Sequence, residues 1–171
     1  MGYHAAIMPP VVRRYLLLDQ GVGAGVINLL INAAIAWAMF RGATTVPMWG
    51  EQSIGGDTIG TTFLLPFLSC LIATRIVRAQ VRSGRVPPLV AMSPLLARMP
   101  RGTAARGVVL GVVGVAVVGV PAAIALSSLG VTEMRFWSFV GFKAVFAALL
   151  ATVVTPVIAL YALASPSLPE R

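Results

Sequence analysis

Charged side chains are scarce in this sequence, and acidic ones are the scarcest. Only 11% of the 171 residues are charged, with 13 Lys and Arg against 5 Asp and Glu. Globular domains in water carry about 25% charged residues, so most of this surface is expected to avoid water. The hydrophobic share of 58% and the mean hydropathy of +0.91 agree. The composition therefore indicates an integral membrane protein.

Cysteine and histidine are almost absent, which limits the chemistry that the chain can perform. One cysteine, Cys70, cannot form an internal disulfide, and with His4 it cannot complete a tetrahedral metal site. No histidine lies in an apolar run, no pair of carboxylates lies deep in one, and the phosphate-binding P-loop pattern is missing. We therefore expect neither a cofactor nor an enzyme activity.

Four long apolar runs are present, and each is long enough to cross the hydrocarbon core of a bilayer as a helix. The predicted fold is all-α, a single domain of four transmembrane helices. Their expected ranges are about 16–40, 57–82, 107–128 and 136–163, with a basic loop at about 83–106.

A row of arginines lies between the second and third spans. Residues 75–106 contain seven arginines and no acidic residue. Positively charged loops stay on the cytoplasmic side, which predicts that both termini are also cytoplasmic. The localisation expected is an integral membrane protein of the bacterial inner membrane. Because the arginines cluster at the ends of apolar runs, anionic lipid head groups are the expected partner and nucleic acid is not. The candidate contacts are Arg75, Arg78, Arg82 and Arg85, spaced three, four and three.

Small residues recur at helical spacing in the first and third spans. Gly21, Gly25, Asn28 and Asn32 share one face of the first span. Small residues permit close helix approach, and the two amides are expected to bond across the contact. Gly107 and Gly111 form the G-x-x-x-G pattern of the third span. Both faces are therefore predicted to pack against helices of this chain, a second copy or another membrane protein.

Lys143 is the one charge inside the fourth span, about 10 Å from its nearer end. A buried ammonium is disfavoured, so a carboxylate partner is expected. Asp57 is the preferred partner, with Glu133 and Glu51 as alternatives. Three interpretations remain open. Lys143 forms a structural ion pair, or it snorkels to the membrane surface, or it belongs to a site for an anionic solute or lipid head group. Asn28 and Asn32 are further candidates for that binding site.

Two smaller expectations concern aspartates near the ends of spans. Asp57 and Thr58 are predicted to cap the second helix at its N-terminus. Asp19, near the start of the first span, is expected to pair with Arg14 or Arg75.

Two functional classes remain open. The first is a non-catalytic accessory or assembly component that packs against other membrane helices, favoured by the glycine faces. The second is a small permease acting as a homo-oligomer. Its signature would be Lys143, Asp57, Asn28 and Asn32 converging on one cavity.

Overall fold

The computed structural model describes residues 8–89 and 98–164, and four long helices account for most of them. Each is long and apolar enough to cross a membrane, so the four-helix part of the prediction is confirmed. Part of the first helix (Tyr15–Gly23) and part of the third (Val115–Gly119) are π-helical. The helices are α1 (Pro10–Phe40), α2 (Ile54–Arg82), α3 (Thr103–Ser128) and α4 (Phe136–Ala164).

The helices pack in the spatial order α1, α4, α2, α3. Helix α4 contacts both α1 and α2, and α3 packs on α2. One hydrophobic cluster joins the ends of α1, α2 and α4 through Phe40, Ile54 and Phe139, all nearly fully buried. The rings of Phe40 and Phe139 meet edge to face with their centroids 4.7 Å apart. Helices α4 and α2 therefore lie at the centre of the bundle, with α1 on one side and α3 on the other.

Two short strands join the loops at one end of the bundle, a feature absent from the sequence prediction. Strand β1 (Thr45–Pro47) pairs antiparallel with β2 (Glu133–Arg135), with Val46 opposite Met134. Because α1 and α4 are neighbours, the loops that follow and precede them meet, and Val46 is fully buried there. We call this end of the bundle the sheet end and the opposite end, at Arg75–Arg85, the arginine end.

The first turn of α2 differs from the prediction. Ser53, not Asp57 or Thr58, is the N-cap, and its hydroxyl accepts a hydrogen bond from the Gly56 N–H at 3.3 Å. This cap lets the helix begin at Ile54, three residues earlier than expected. Asp57 consequently lies inside the helix at its N-terminal turn, where the helix dipole favours a negative charge.

The other end of α2 is closed by Gly84. Its φ of +73° is one that residues with side chains rarely adopt. The Gly84 and Arg85 N–H groups donate to the carbonyls of Val81 and Gln80, both at 3.0 Å. The helix therefore ends at Arg82, and Arg85 lies beyond it.

The predicted basic loop at about 83–106 is shorter than expected at its far side. Helix α3 begins at Thr103, so Arg106 is helical rather than part of a loop. Residues 90–97 of that loop lie outside the described residues.

Candidate functional site

Lys143 and Asp57 form an ion pair between α4 and α2. Lys143 lies two turns into α4, and its Nζ donates to Asp57 Oδ1. The two side chains are only 5% and 11% exposed. The carboxylate predicted as the preferred partner is thus the one that Lys143 contacts, whereas Glu51 and Glu133 are exposed. Because both charges are shielded from water, removing one would leave the other buried without compensation.

This ion pair lies at one end of a groove between α1 and α2. Both helices rest on α4, and the space left between them has a volume of about 700 Å³. Helix α4 contributes Lys143 and Thr155 to its floor. The groove runs along α1 from Asp19 to Met39 and along α2 from Asp57 to Gln80.

Apolar side chains form the two walls of the groove. Each wall is a ladder of residues spaced by four, so each ladder follows one side of its helix. All eight side chains are between 40% and 58% exposed. The walls therefore suit contact with hydrocarbon. The ladders are Ile27, Ile31, Ile35 and Met39 on α1, and Leu64, Leu68, Ile72 and Ile76 on α2.

Asn28 and Asn32 also line this groove, but they do not bond across a helix contact as expected. Their amide nitrogens donate to carbonyls of their own helix, at Ala24 (2.9 Å) and Asn28 (3.0 Å) respectively. These bonds use only the amide nitrogen as donor, so the amide oxygen of each side chain remains an acceptor for another molecule. All four predicted polar candidates thus lie on one groove.

Thr155 is a groove residue that the sequence did not single out. Thr155 is only 5% exposed. Its hydroxyl has no hydrogen-bond partner within residues 8–89 and 98–164. An unpaired buried hydroxyl is unfavourable and calls for an explanation. Thr155 is also one of the two α4 residues that line the groove.

A chain of neutral polar side chains lies at the arginine end of the groove. Gln20 Nε2 donates to Tyr15 Oη at 2.8 Å, and that hydroxyl donates to Gln80 Oε1. These bonds tie α1 to α2, and sequence analysis missed them because neutral pairs leave no charge signal. Asp19 lies beside this chain and is exposed. In the described part of the protein it forms no ion pair with Arg14 or Arg75, contrary to expectation.

The predicted glycine faces are both occupied within this chain. Gly21 and Gly25 approach α4 at Thr152, and Gly107 and Gly111 approach α2 at Phe67 and Phe63. A Cβ at Gly111 would lie 2.7 Å from the Phe63 ring and 2.9 Å from its carbonyl oxygen. The glycines therefore permit close packing of neighbours inside the bundle.

The arginine row is divided by the fold. Arg75 and Arg82 are exposed on α2, Arg78 is half-buried, and Arg85 follows the helix rather than extending its stripe.

Arg106 is fully buried, although the sequence placed it in a basic loop. Its guanidinium lies 3.9 Å from the centre of the Tyr161 ring, and Nη2 donates to Thr74 Oγ1 at 3.3 Å. This cation–π contact links α3 to α4 at the arginine end.

Comparison of the chain with protein-family models, curated proteins and solved structures finds no match. The four apolar helices are compatible with an integral membrane protein. A more specific function must be argued from the groove.

Proposed function

We propose that this protein is a small permease-class membrane protein that binds a polar-headed amphiphile in the groove between α1 and α2. The observation that carries the proposal is the convergence of Lys143, Asp57, Asn28 and Asn32 on one groove. That convergence is the signature that separates a binding or transport role from an assembly role.

The size of the groove supports a small molecule as its occupant. Its volume of about 700 Å³ falls within the range of about 300–1,000 Å³ typical of ligand sites. A transmembrane helix about 10 Å across and 30 Å long would occupy roughly 2,400 Å³. An amphiphile with a polar head and an apolar body matches the polar floor and the apolar walls.

The free hydroxyl of Thr155 supports the same occupant. Thr155 lines the groove floor, and its enclosed hydroxyl oxygen has no protein partner among the described residues. A ligand group that reaches this oxygen would satisfy it, and the oxygens of Asn28 and Asn32 would accept hydrogen bonds from the same ligand. These groups offer hydrogen bonds to a ligand without breaking contacts between helices.

The alternative is an accessory or assembly component that packs against other membrane helices. Its sequence support came from the glycine faces, and these contact helices of the same chain. The remaining observation in its favour is the pair of exposed apolar ladders. A partner lying over them would cover the groove, so a measurement of ligand binding in the groove also tests this alternative.

The orientation belongs to the same proposal. We place the arginine end in the cytoplasm of a bacterial cell, because arginines concentrate there on Arg13, Arg14, Arg75 and Arg82. Trp37, Trp49 and Trp137 are exposed toward the sheet end, as expected at a membrane–water interface. The exposed arginines would contact anionic lipid head groups of the inner leaflet.

Binding of added lipid to the purified, delipidated protein tests the proposal. Gly60 lines the groove, and a Cβ there meets no atom within 4 Å, so Gly60→Phe should obstruct the groove near Asp57. Gly141 also has open space but lies outside the groove, so Gly141→Phe is the matched control. Native mass spectrometry after delipidation and addition of phosphatidylethanolamine should show binding to the parent and Gly141→Phe. Binding should be lost in Gly60→Phe.

Thr155→Val provides a second, milder arm. Because the hydroxyl has no protein partner among the described residues, this change should weaken lipid binding while the melting temperature stays at or above that of the parent. Equal binding by the parent, Gly60→Phe and Thr155→Val would refute the groove as the binding site. An assembly role would then be the better hypothesis.

A further inference from the structure

The groove extends along nearly the full thickness of a bilayer, which a simple binding site would not require. Asp57 and Gln80 both line it and are 23 residues apart on α2. At 1.5 Å per residue they are about 35 Å apart, compared with about 30 Å for the hydrocarbon core. The groove is therefore long enough to span the hydrocarbon core.

Polar side chains continue along the floor between the two ends. On α2, Thr61 and Ser69 lie about 6 and 18 Å from Asp57 along the helix axis. On α4, Thr155 lies about 18 Å from Lys143. Asn28 and Asn32 add two neighbouring amides on α1. A polar group moving along the groove would therefore meet hydrogen-bonding partners at successive depths.

From this geometry we infer that the groove conducts phospholipid head groups between the two leaflets, while the acyl chains remain in the bilayer. The inference rests on the proposed function, because it assigns that binding site a substrate and a direction of movement. The polar floor would replace the hydration that a head group loses in hydrocarbon. The exposed apolar ladders would contact the acyl chains, so the path needs no enclosed pore and no second copy.

The charges on the groove favour a zwitterionic head group. Among the described residues that line it, the ionisable ones are Lys143, Asp57 and Asp19, one ammonium against two carboxylates. An anionic head would meet an excess of negative charge. A phosphate–amine head instead offers an anion to Lys143 and a cation to Asp57, which is complementary to the ion pair.

The movement would be passive and bidirectional. The sequence contains no phosphate-binding P-loop that could couple it to nucleotide hydrolysis. No covalent step is involved, so the protein would equilibrate lipids between leaflets rather than concentrate them in one.

Proteoliposomes containing fluorescent phosphatidylethanolamine in both leaflets test this inference. Dithionite added outside bleaches only the outer leaflet unless lipids exchange. The parent and Gly141→Phe should allow bleaching of both leaflets, and Gly60→Phe should leave the inner label protected. A paired change, Asn28→Leu with Asn32→Leu, removes polarity at mid-depth while leaving the ion pair. It should slow exchange on the order of tenfold, the effect of about 1.4 kcal/mol on a barrier.

The outcomes separate this inference from the proposed function. If the parent binds lipid by mass spectrometry but exchanges none, the conduction hypothesis is overturned and the binding site stands. If Gly60→Phe exchanges lipid as fast as the parent, the path is not the groove and the inference also fails. If the parent neither binds nor exchanges lipid, both are wrong. Faster exchange of phosphatidylglycerol than of phosphatidylethanolamine would overturn the assigned head-group preference.

Discussion

Lys143 Nζ contacts Asp57 Oδ1 although 86 residues separate them in the chain. The contact joins α4 to α2 near the sheet end and leaves both charges largely shielded from water. It combines two roles, since the same atoms fasten two helices and supply the charged end of the groove. A stability measurement and a binding measurement are needed to separate these roles.

The ion pair predicts non-additive losses of stability. Lys143→Met and Asp57→Asn should each destabilise the protein by about 3 kcal/mol, because each leaves an uncompensated or poorly satisfied group. The double variant should recover part of that loss. Melting in detergent as a double-mutant cycle measures the coupling. Glu51→Gln, at an exposed carboxylate near the same end, is the control and should melt like the parent. Strictly additive losses would mean that the pair contributes no coupling energy.

The contact between α3 and α2 predicts that Gly111 tolerates no side chain. Gly111→Ala should lower stability by about 1–3 kcal/mol, because the new methyl group would press on the Phe63 ring and carbonyl. Gly141→Ala is the matched control on an open helix surface and should not lower it. Thermal melting of both variants in the same detergent is the measurement. If Gly111→Ala melts with Gly141→Ala, the close approach of α3 to Phe63 does not exist.

Hydropathy predicted the four helices because the tendency to leave water is a local property of each run. The short sheet was not predicted, since Val46 and Met134 meet only because α1 and α4 pack together. The start of α2 was missed because Ser53 competes with Asp57 and Thr58 as a cap, and the sequence does not decide among neighbouring capping residues.

The Lys143–Asp57 pairing was predictable because the sequence offers so few acids near the right depth. The groove itself was not, since its shape depends on α1 and α2 resting apart on α4. Arg106 was missed for a different reason. The positive-inside rule counts arginines near a span but does not say which one packs against an aromatic ring.

The orientation predicts the side on which each loop lies. Green fluorescent protein fused near Gly84 or at Arg171 should fluoresce, because the arginine row keeps its end of the bundle in the cytoplasm. Alkaline phosphatase fused near Gly50 or Gly130 should be active, since these loop glycines adjoin the two strands of the sheet end, which is expected to lie outside the cytoplasm. A paired set of alkaline phosphatase and green fluorescent protein fusions measures both sides. External activity near Gly84 would reverse the proposed orientation.

The hydrogen bond from Tyr15 to Gln80 links α1 to α2 at the arginine end and is expected to stabilise the bundle. Gln80→Leu removes the acceptor of the Tyr15 hydroxyl and leaves a partly buried donor without a partner. A loss of about 1–2 kcal/mol is expected from one unsatisfied group. Gln80→Glu keeps an oxygen acceptor at the same position and should retain most of the stability. Gln52→Leu, at an exposed glutamine, controls for the change in polarity.

Melting in detergent distinguishes these three variants. Gln52→Leu and Gln80→Glu should melt near the temperature of the parent. Gln80→Leu should melt clearly below them. The physical reason is that the Gln20–Tyr15–Gln80 chain joins two helices that line opposite sides of the groove. If Gln80→Leu and Gln52→Leu melt together, the hydrogen bond to Tyr15 does not hold α1 against α2, and the packing of each helix on α4 alone fixes the width of the groove.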